Sequence, residues 1–224
     1  MDTSPDIAAR RTSLLAQLSA AAQQAGRKPS DITLVAVSKR QPGVLLDAAL
    51  AAGQRVFGEN RVQEAIEHWG SRRAAHPDLE LRLIGPLQSN KAHEAVELFD
   101  VIETLDRDRL AAALRKAISA TGRTPRLLVQ VNTGDEPQKA GIAPAELPAF
   151  LERMTREYGL RVEGLMCIPP AAEPAGLHFA LLAKLAQQNG LAELSMGMSA
   201  DFETAIALGA TSVRIGTAFF GERS

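Results

Sequence analysis

Short runs of apolar and β-branched residues alternate with helical stretches along most of this chain, and that alternation restricts the fold more than any other feature. Strand-length runs fall at residues 32–38, 55–58, 81–85, 101–105, 126–132, 162–168, 193–196 and 211–215. Helical stretches intervene near 43–52, 60–70, 88–98, 107–120, 144–158, 174–189 and 200–209, and an amphipathic helix over 6–25 precedes them all. The run Ile32-Thr-Leu-Val-Ala-Val-Ser38 has the continuous apolar character of a parallel strand covered on both faces. Strands that alternate with helices read as successive βαβ units. The pattern therefore predicts an α/β fold: a single (β/α)8 TIM-type barrel with an extra N-terminal helix, occupying residues 1–224 as one domain. A doubly wound open sheet is the runner-up, and the missing GxGxxG after the first strand counts against its dinucleotide-binding version.

Several function classes fall away on composition. With 25 Lys+Arg against 26 Asp+Glu, the formal charge is −1, which gives no footprint for nucleic acid. The single cysteine, Cys167, excludes an intramolecular disulfide and a Cys-rich zinc site. His93-Glu94 starts like a zincin helix, but Glu97 stands where the second histidine is needed, so no metal site is expected. No apolar run approaches the roughly 20 residues of a membrane helix, and the N-terminal residues lack a signal-peptide pattern. The expected compartment is a reducing cytoplasm.

Barrels of this kind place their chemistry at the C-terminal ends of the strands. Lys39 closes the first strand there. Partial desolvation of an amine disfavours its charged form, and the neutral amine is the nucleophile of Schiff-base chemistry. The plainer reading has Lys39 and Arg40 carrying the strand out into solvent. The last two loops add Met196-Gly-Met-Ser199 ahead of a helix and Arg214-Ile-Gly-Thr217 ending the final strand. Ser199 suits a helix N-cap, Gly216 lets backbone amides approach an anion, and Thr217 adds a hydroxyl. The loops after strands seven and eight are the recurrent phosphate site of barrels. A lysine set across a barrel mouth from a phosphate cradle suggests pyridoxal 5′-phosphate. A Schiff-base phosphosugar aldolase uses the same two elements without a cofactor. Arg214, beside the phosphate loop and in reach of a pyridine nitrogen, favours the former.

Six blocks then resemble one family in order along residues 32–223. They are Leu34-Val-Ala-Val-Ser-Lys39, Phe57-Gly-Glu-Asn-Arg-Val-Gln-Glu64, Ile84-Gly-Pro-Leu-Gln-Ser-Asn-Lys91, Gly164-Leu-Met166, Leu194-Ser-Met-Gly-Met-Ser199 and Val213-Arg-Ile-Gly-Thr-Ala-Phe-Phe-Gly221. The chain resembles the pyridoxal phosphate homeostasis (YggS/PROSC) family, whose fold-type III barrel is related to the N-terminal domain of alanine racemase. The resemblance implies that Lys39 forms the Schiff base with pyridoxal 5′-phosphate and that Ser199, Gly216 and Thr217 hold its phosphate. It makes Arg214 the partner of the pyridine nitrogen, places Asn60 beside the ring, and assigns Ile84 and Met166 to apolar walls. An arginine at that nitrogen disfavours a pyridinium, which leaves the ring a weak electron sink.

Two departures stand out. Leu81-Arg82-Leu83 occupies a place where the family commonly has Trp-His, and Cys167 stands where a small or apolar residue is usual. Cys167 reads as a small buried hydrophobe with no adjacent histidine. The loop over residues 135–141 leaves two readings of Lys139: a second lysine engaging cofactor, or a solvated cation neutralising Asp135 and Glu136. Gln88 and Lys91 are expected to organise the third βα loop, and Glu64 to lie exposed on its helix.

Racemases of this fold need a second base, a tyrosine from a C-terminal domain, opposite the lysine. The only tyrosine here, Tyr158, falls at a helix end away from the expected mouth. The resemblance therefore implies a protein without catalytic residues that buffers and delivers pyridoxal 5′-phosphate, with amino-acid and keto-acid homeostasis as the affected physiology. The alternative is a racemase or lyase of restricted scope. Pyridoxal-phosphate-dependent apoenzymes are the implied recipients, and a monomer is the implied state.

Overall fold

The computed structural model describes residues 6–134, 136 and 139–221. Eight strands close on themselves in chain order: β1 (Thr33–Val37), β2 (Val56–Glu59), β3 (Glu80–Leu83), β4 (Val101–Leu105), β5 (Arg126–Gln130), β6 (Val162–Met166), β7 (Glu193–Ser195) and β8 (Ser212–Ile215). Neighbours pair in parallel throughout, and β1 seals against β8 with Val35 opposite Arg214 and Ala36 opposite Ile215. The closed (β/α)8 barrel is as the sequence predicts, and the open sheet is ruled out.

Helices cover the outside: α1 (Ile7–Gln24), α2 (Gly43–Ala51), α3 (Val62–Trp69), α4 (Arg72–Ala75), α5 (Ala92–Leu98), α6 (Asp108–Thr121), α7 (Leu147–Arg156), α8 (Ala175–Gln188), α9 (Phe202–Ala207) and α10 (Thr217–Phe220). The short α4 and α10 were not expected, because one turn of helix leaves no periodicity to read. The extra helix α1 begins at Asp6, whose side chain accepts from Ala9 N–H at 2.9 Å. It buries Ile7, Leu14, Leu18, Ala21 and Ala22, and packs beside α2, α9 and α10. Just past it, Arg27 donates to the carbonyls of Ile206 and Ala210 at 2.9 and 2.7 Å, which pins the N-terminal helix to the β8 side. Among the described residues, no helix is long and apolar enough to cross a membrane.

The barrel interior departs from the usual stack of branched aliphatics. Arg214 on β8 donates to Ser195 Oγ at 2.7 Å, and Ser195 Oγ donates to Glu103 Oε2 at 2.6 Å. The other Glu103 oxygen accepts from Arg82 at 3.2 Å, and Arg82 Nε reaches Glu80 at 2.6 Å. Glu80 in turn accepts from Arg126 at 2.8 Å, and Arg126 also pairs with Glu193. Cations and anions thus alternate in equal number along the column, as burial of charge requires. Burial draws the Arg82 guanidinium down, but Glu103 and Glu80 outweigh it and hold the group above its ordinary value.

Candidate functional site

Because β1 neighbours β8 in a parallel barrel, residues just past their C-terminal ends meet although they are far apart in sequence. A cavity of about 340 Å³ opens there, lined by Lys39, Asn60, Ile84, Arg214, Gly216 and Thr217, with Val37, Ile168 and the 198–200 turn completing it. Its size falls within the range of small-molecule sites, about 300–1,000 Å³. Lys39 and the Gly216–Thr217 turn also share a smaller adjoining space. Seven of the eight residues singled out from the sequence therefore lie together on one wall system.

The eighth, Met166, does not line the cavity. It is fully buried at the end of β6, while Ile168, two residues on and 41% exposed, provides the apolar surface. The strand run read as 162–168 ends at Met166, so the mouth is reached later in the chain than expected. Ser199 lines the cavity but is no helix cap: α9 starts after Asp201, and Ser199 lies exposed on the preceding turn. Asp201 closes that turn, its Oδ1 accepting from Met198 N–H at 2.6 Å. Gly197 makes the turn possible with φ of 93°, and a Cβ there would sit 2.6 Å from that of Ala205.

Arg214 is oriented by fixed partners. Its two terminal nitrogens are used by Ser195 Oγ, at 2.7 Å, and the Cys167 carbonyl, at 2.8 Å. Asn60 is placed by a close approach: a Cβ on Gly85 would fall 2.2 Å from the Asn60 carbonyl, so only glycine lets the third βα loop come this near. At Gly216 a Cβ would meet only Val37, at 3.6 Å. The protein itself leaves room for a side chain there.

Lys39 has no ion pair or side-chain hydrogen bond among the described residues. It sits on a turn in which Gln41 N–H donates to the Ser38 carbonyl at 3.1 Å. Two carboxylates that the sequence reading left out of the site flank that turn. Glu59, fully buried, accepts from Ser38 Oγ at 2.6 Å and from Trp69 Nε1 at 3.0 Å, and meets His68 Nδ1 at 2.8 Å. The hydrogen bond to Glu59 raises the His68 imidazole above its ordinary value, against the opposing effect of burial. Glu64 is not exposed as expected; it is half-buried and accepts the backbone N–H of Arg40.

Cys167 is buried, and burial pushes its thiol up to about 12, so it is no nucleophile at neutral pH. Lys139 pairs with Glu136 at 2.5 Å and lines none of the cavities at the mouth, while Asp135 lies outside the described residues. Gln88 and Lys91 line a wider hollow of about 660 Å³ beside the first, together with Asn60 and Arg61.

Comparison with known proteins settles the kinship. The family model of the alanine racemase N-terminal domain matches residues 12–224. The pyridoxal phosphate homeostasis protein of Vibrio cholerae is 43% identical over 220 residues, covering 94% of this chain and 93% of that protein. This chain belongs to the pyridoxal phosphate homeostasis protein family. The Escherichia coli K12 member is 40% identical over 229 residues, covering 97% of both chains. Within the family, the structure of PipY from Synechococcus elongatus with pyridoxal phosphate bound superposes with a TM-score of 0.82 at 42% identity, covering 96% of this chain and 100% of that one. Outside it, alanine racemase from Bartonella henselae shares the fold at a TM-score of 0.73 and 15% identity, over 97% of this chain and 58% of that one.

Proposed function

We propose that this chain binds pyridoxal 5′-phosphate in the 340 Å³ cavity and serves as a carrier that buffers and delivers it, maintaining vitamin B6 and amino-acid and keto-acid balance in the cytoplasm. The observation that carries the reading is the joint lining of one cavity by an amine, a guanidinium and two turns that each bear a hydroxyl, Ser199 and Thr217. Pyridoxal phosphate supplies an aldehyde that condenses with amines on an electron-withdrawing ring. Lys39 provides the condensing amine. Ser199 and Thr217 offer hydroxyl donors to the phosphate, and Gly216 keeps the backbone open to it. Arg214 would partner the ring nitrogen, its guanidinium held in place by Ser195 and the Cys167 carbonyl. Asn60, Ile84 and Ile168 line the same cavity and would flank the ring.

A carrier, rather than a racemase, is supported by the lining itself. Among the described residues it offers one basic side chain besides the guanidinium, Lys39, and no histidine, tyrosine or carboxylate to act as a second base. Recipient apoenzymes and a monomeric state belong to the same proposal. The test is direct: record the visible spectrum of the purified protein, reduce with borohydride, and map the labelled peptide. A yellow protein labelled on Lys39 is the expected result. A colourless protein that forms Schiff bases with phosphosugars makes it an aldolase, and inversion of any amino acid in a chiral panel makes it an enzyme.

A further inference from the structure

Arg40 is the one described residue other than glycine with positive φ, at 57°. A side chain in that region disfavours the conformation by roughly 5–30-fold relative to the right-handed one, so something must hold it. The residue directly before it is Lys39, and the backbone N–H of Arg40 is the donor taken by Glu64, from α3. On the other flank, Ser38 is tied through its hydroxyl to Glu59, at the end of β2. The Lys39 turn is therefore gripped on both sides by the two carboxylates of one short segment, Glu59 to Glu64. His68 and Trp69 hold Glu59 from α3.

We propose that Glu64 and Glu59 are positioning residues for the Schiff-base amine, with Glu64 holding the left-handed Arg40 turn that aims Lys39 into the cavity. This rests on the reading of Lys39 given above. Condensation has Lys39 Nζ add to the aldehyde carbon; a C=N bond forms, and the carbonyl oxygen departs as water. Neither carboxylate takes part in those bonds. Their effect is on how often the amine is in place to make them.

Ligand atoms of Glu59, Glu64 and His68 lie within 4.8 Å of one another, a spacing that a divalent cation also accepts. The hydrogen bonds favour the brace. Glu59 Oε1 already receives Ser38 and Trp69 and meets His68 Nδ1, and Glu64 Oε1 receives a backbone amide. Glu59 Oε2 is buried with no hydrogen-bond partner among the described residues, so the Zn²⁺ arm of the test decides between brace and cation.

The test uses the full chain titrated with pyridoxal 5′-phosphate, reading the Schiff-base absorbance and the borohydride label on Lys39. Glu64→Ala is expected to weaken Schiff-base formation by roughly 5–30-fold, the penalty of the left-handed turn. Glu64→Gln, which keeps an acceptor, stays near the parent. Arg40→Gly in the Glu64→Ala background restores binding, because glycine takes this φ without a partner. If Glu64→Ala does not fold, the double variant and Glu64→Gln carry the comparison alone. Binding by Glu64→Ala equal to the parent overturns the proposal. So does failure of Arg40→Gly to rescue in a double variant whose urea midpoint matches the parent. A thermal shift of the parent on adding Zn²⁺, lost in Glu64→Ala, overturns it in favour of a cation site. Label found away from Lys39 in the parent sinks the Lys39 reading instead, which separates the two failures.

Discussion

Two sides of the barrel mouth each present a lysine, and they are built differently. On the β1/β8 side, Lys39 follows a buried strand by two residues, sits on a turn braced by two carboxylates, and has no anionic partner of its own among the described residues. On the β5/β6 side, Lys139 sits on a longer loop and is neutralised at 2.5 Å by Glu136, three residues before it. That loop is stitched to itself: Asn132 binds Glu136 through both side-chain atoms, at 2.7 and 3.3 Å, and Val131 bridges to Ile142. Carboxylates serve opposite ends in the two places. Near Lys39 they take backbone and hydroxyl donors, which leaves the amine available; near Lys139 the carboxylate takes the amine itself. An amine engaged by a carboxylate must leave that contact before it can attack a carbonyl carbon.

The sharpest way to break this contrast is to remove each lysine. Lys39→Ala is expected to abolish the borohydride-trapped label altogether. A residual label moved to Lys139 would show that the two sides are interchangeable. Next in size are the hydroxyls that share the Lys39 side. On the proposed phosphate contacts, Ser199→Ala and Thr217→Ala are each expected to lose a charge-assisted hydrogen bond of about 1.5–3 kcal/mol, or roughly 10–150-fold in dissociation constant by equilibrium dialysis. Unchanged dissociation in both would place the phosphate elsewhere.

A smaller effect reports on the brace behind Lys39. The His68 imidazole is raised by its hydrogen bond to Glu59, with burial and the Arg72 charge opposing and Glu64 assisting. The folded state thus binds the proton more tightly than the unfolded chain does. Stability from this pair is fully present below the ordinary value of 6.5 and is lost as pH rises through the raised one. The melting temperature should fall across that interval in the parent and stay flatter in His68→Asn; identical slopes would detach His68 from the brace. Smallest of all, Lys139→Ala should change the dissociation constant by about two-fold or less, since exposed ion pairs contribute little.

Much of this was legible in one dimension. The eight strands, the closure and the meeting of Lys39 with the last two loops at one cavity all follow from local periodicity and from the rule that barrels gather function at one rim. What escaped depends on partners that no local pattern announces. Glu64 lies among polar positions of an amphipathic helix, and its partner is a backbone amide 24 residues earlier. Arg82, Glu103 and Arg126 interrupt otherwise apolar strands and look like breaks; they pair across the barrel between β3, β4, β5 and β7. Ser199 carries the chemistry of a cap, but Asp201, two residues later, starts the helix instead. Met166 and Ile168 have the same apolar character, and only the true end of β6 separates them.

The seam between the first and last strands has a consequence for the molecule's birth. The amine at position 39 is synthesised long before the turn at 216–217. Until that closing strand docks, the nascent polypeptide holds half a receptor, and prematurely terminated products hold the same half. A ligand that needs both walls binds only the closed barrel and draws the population toward it by mass action.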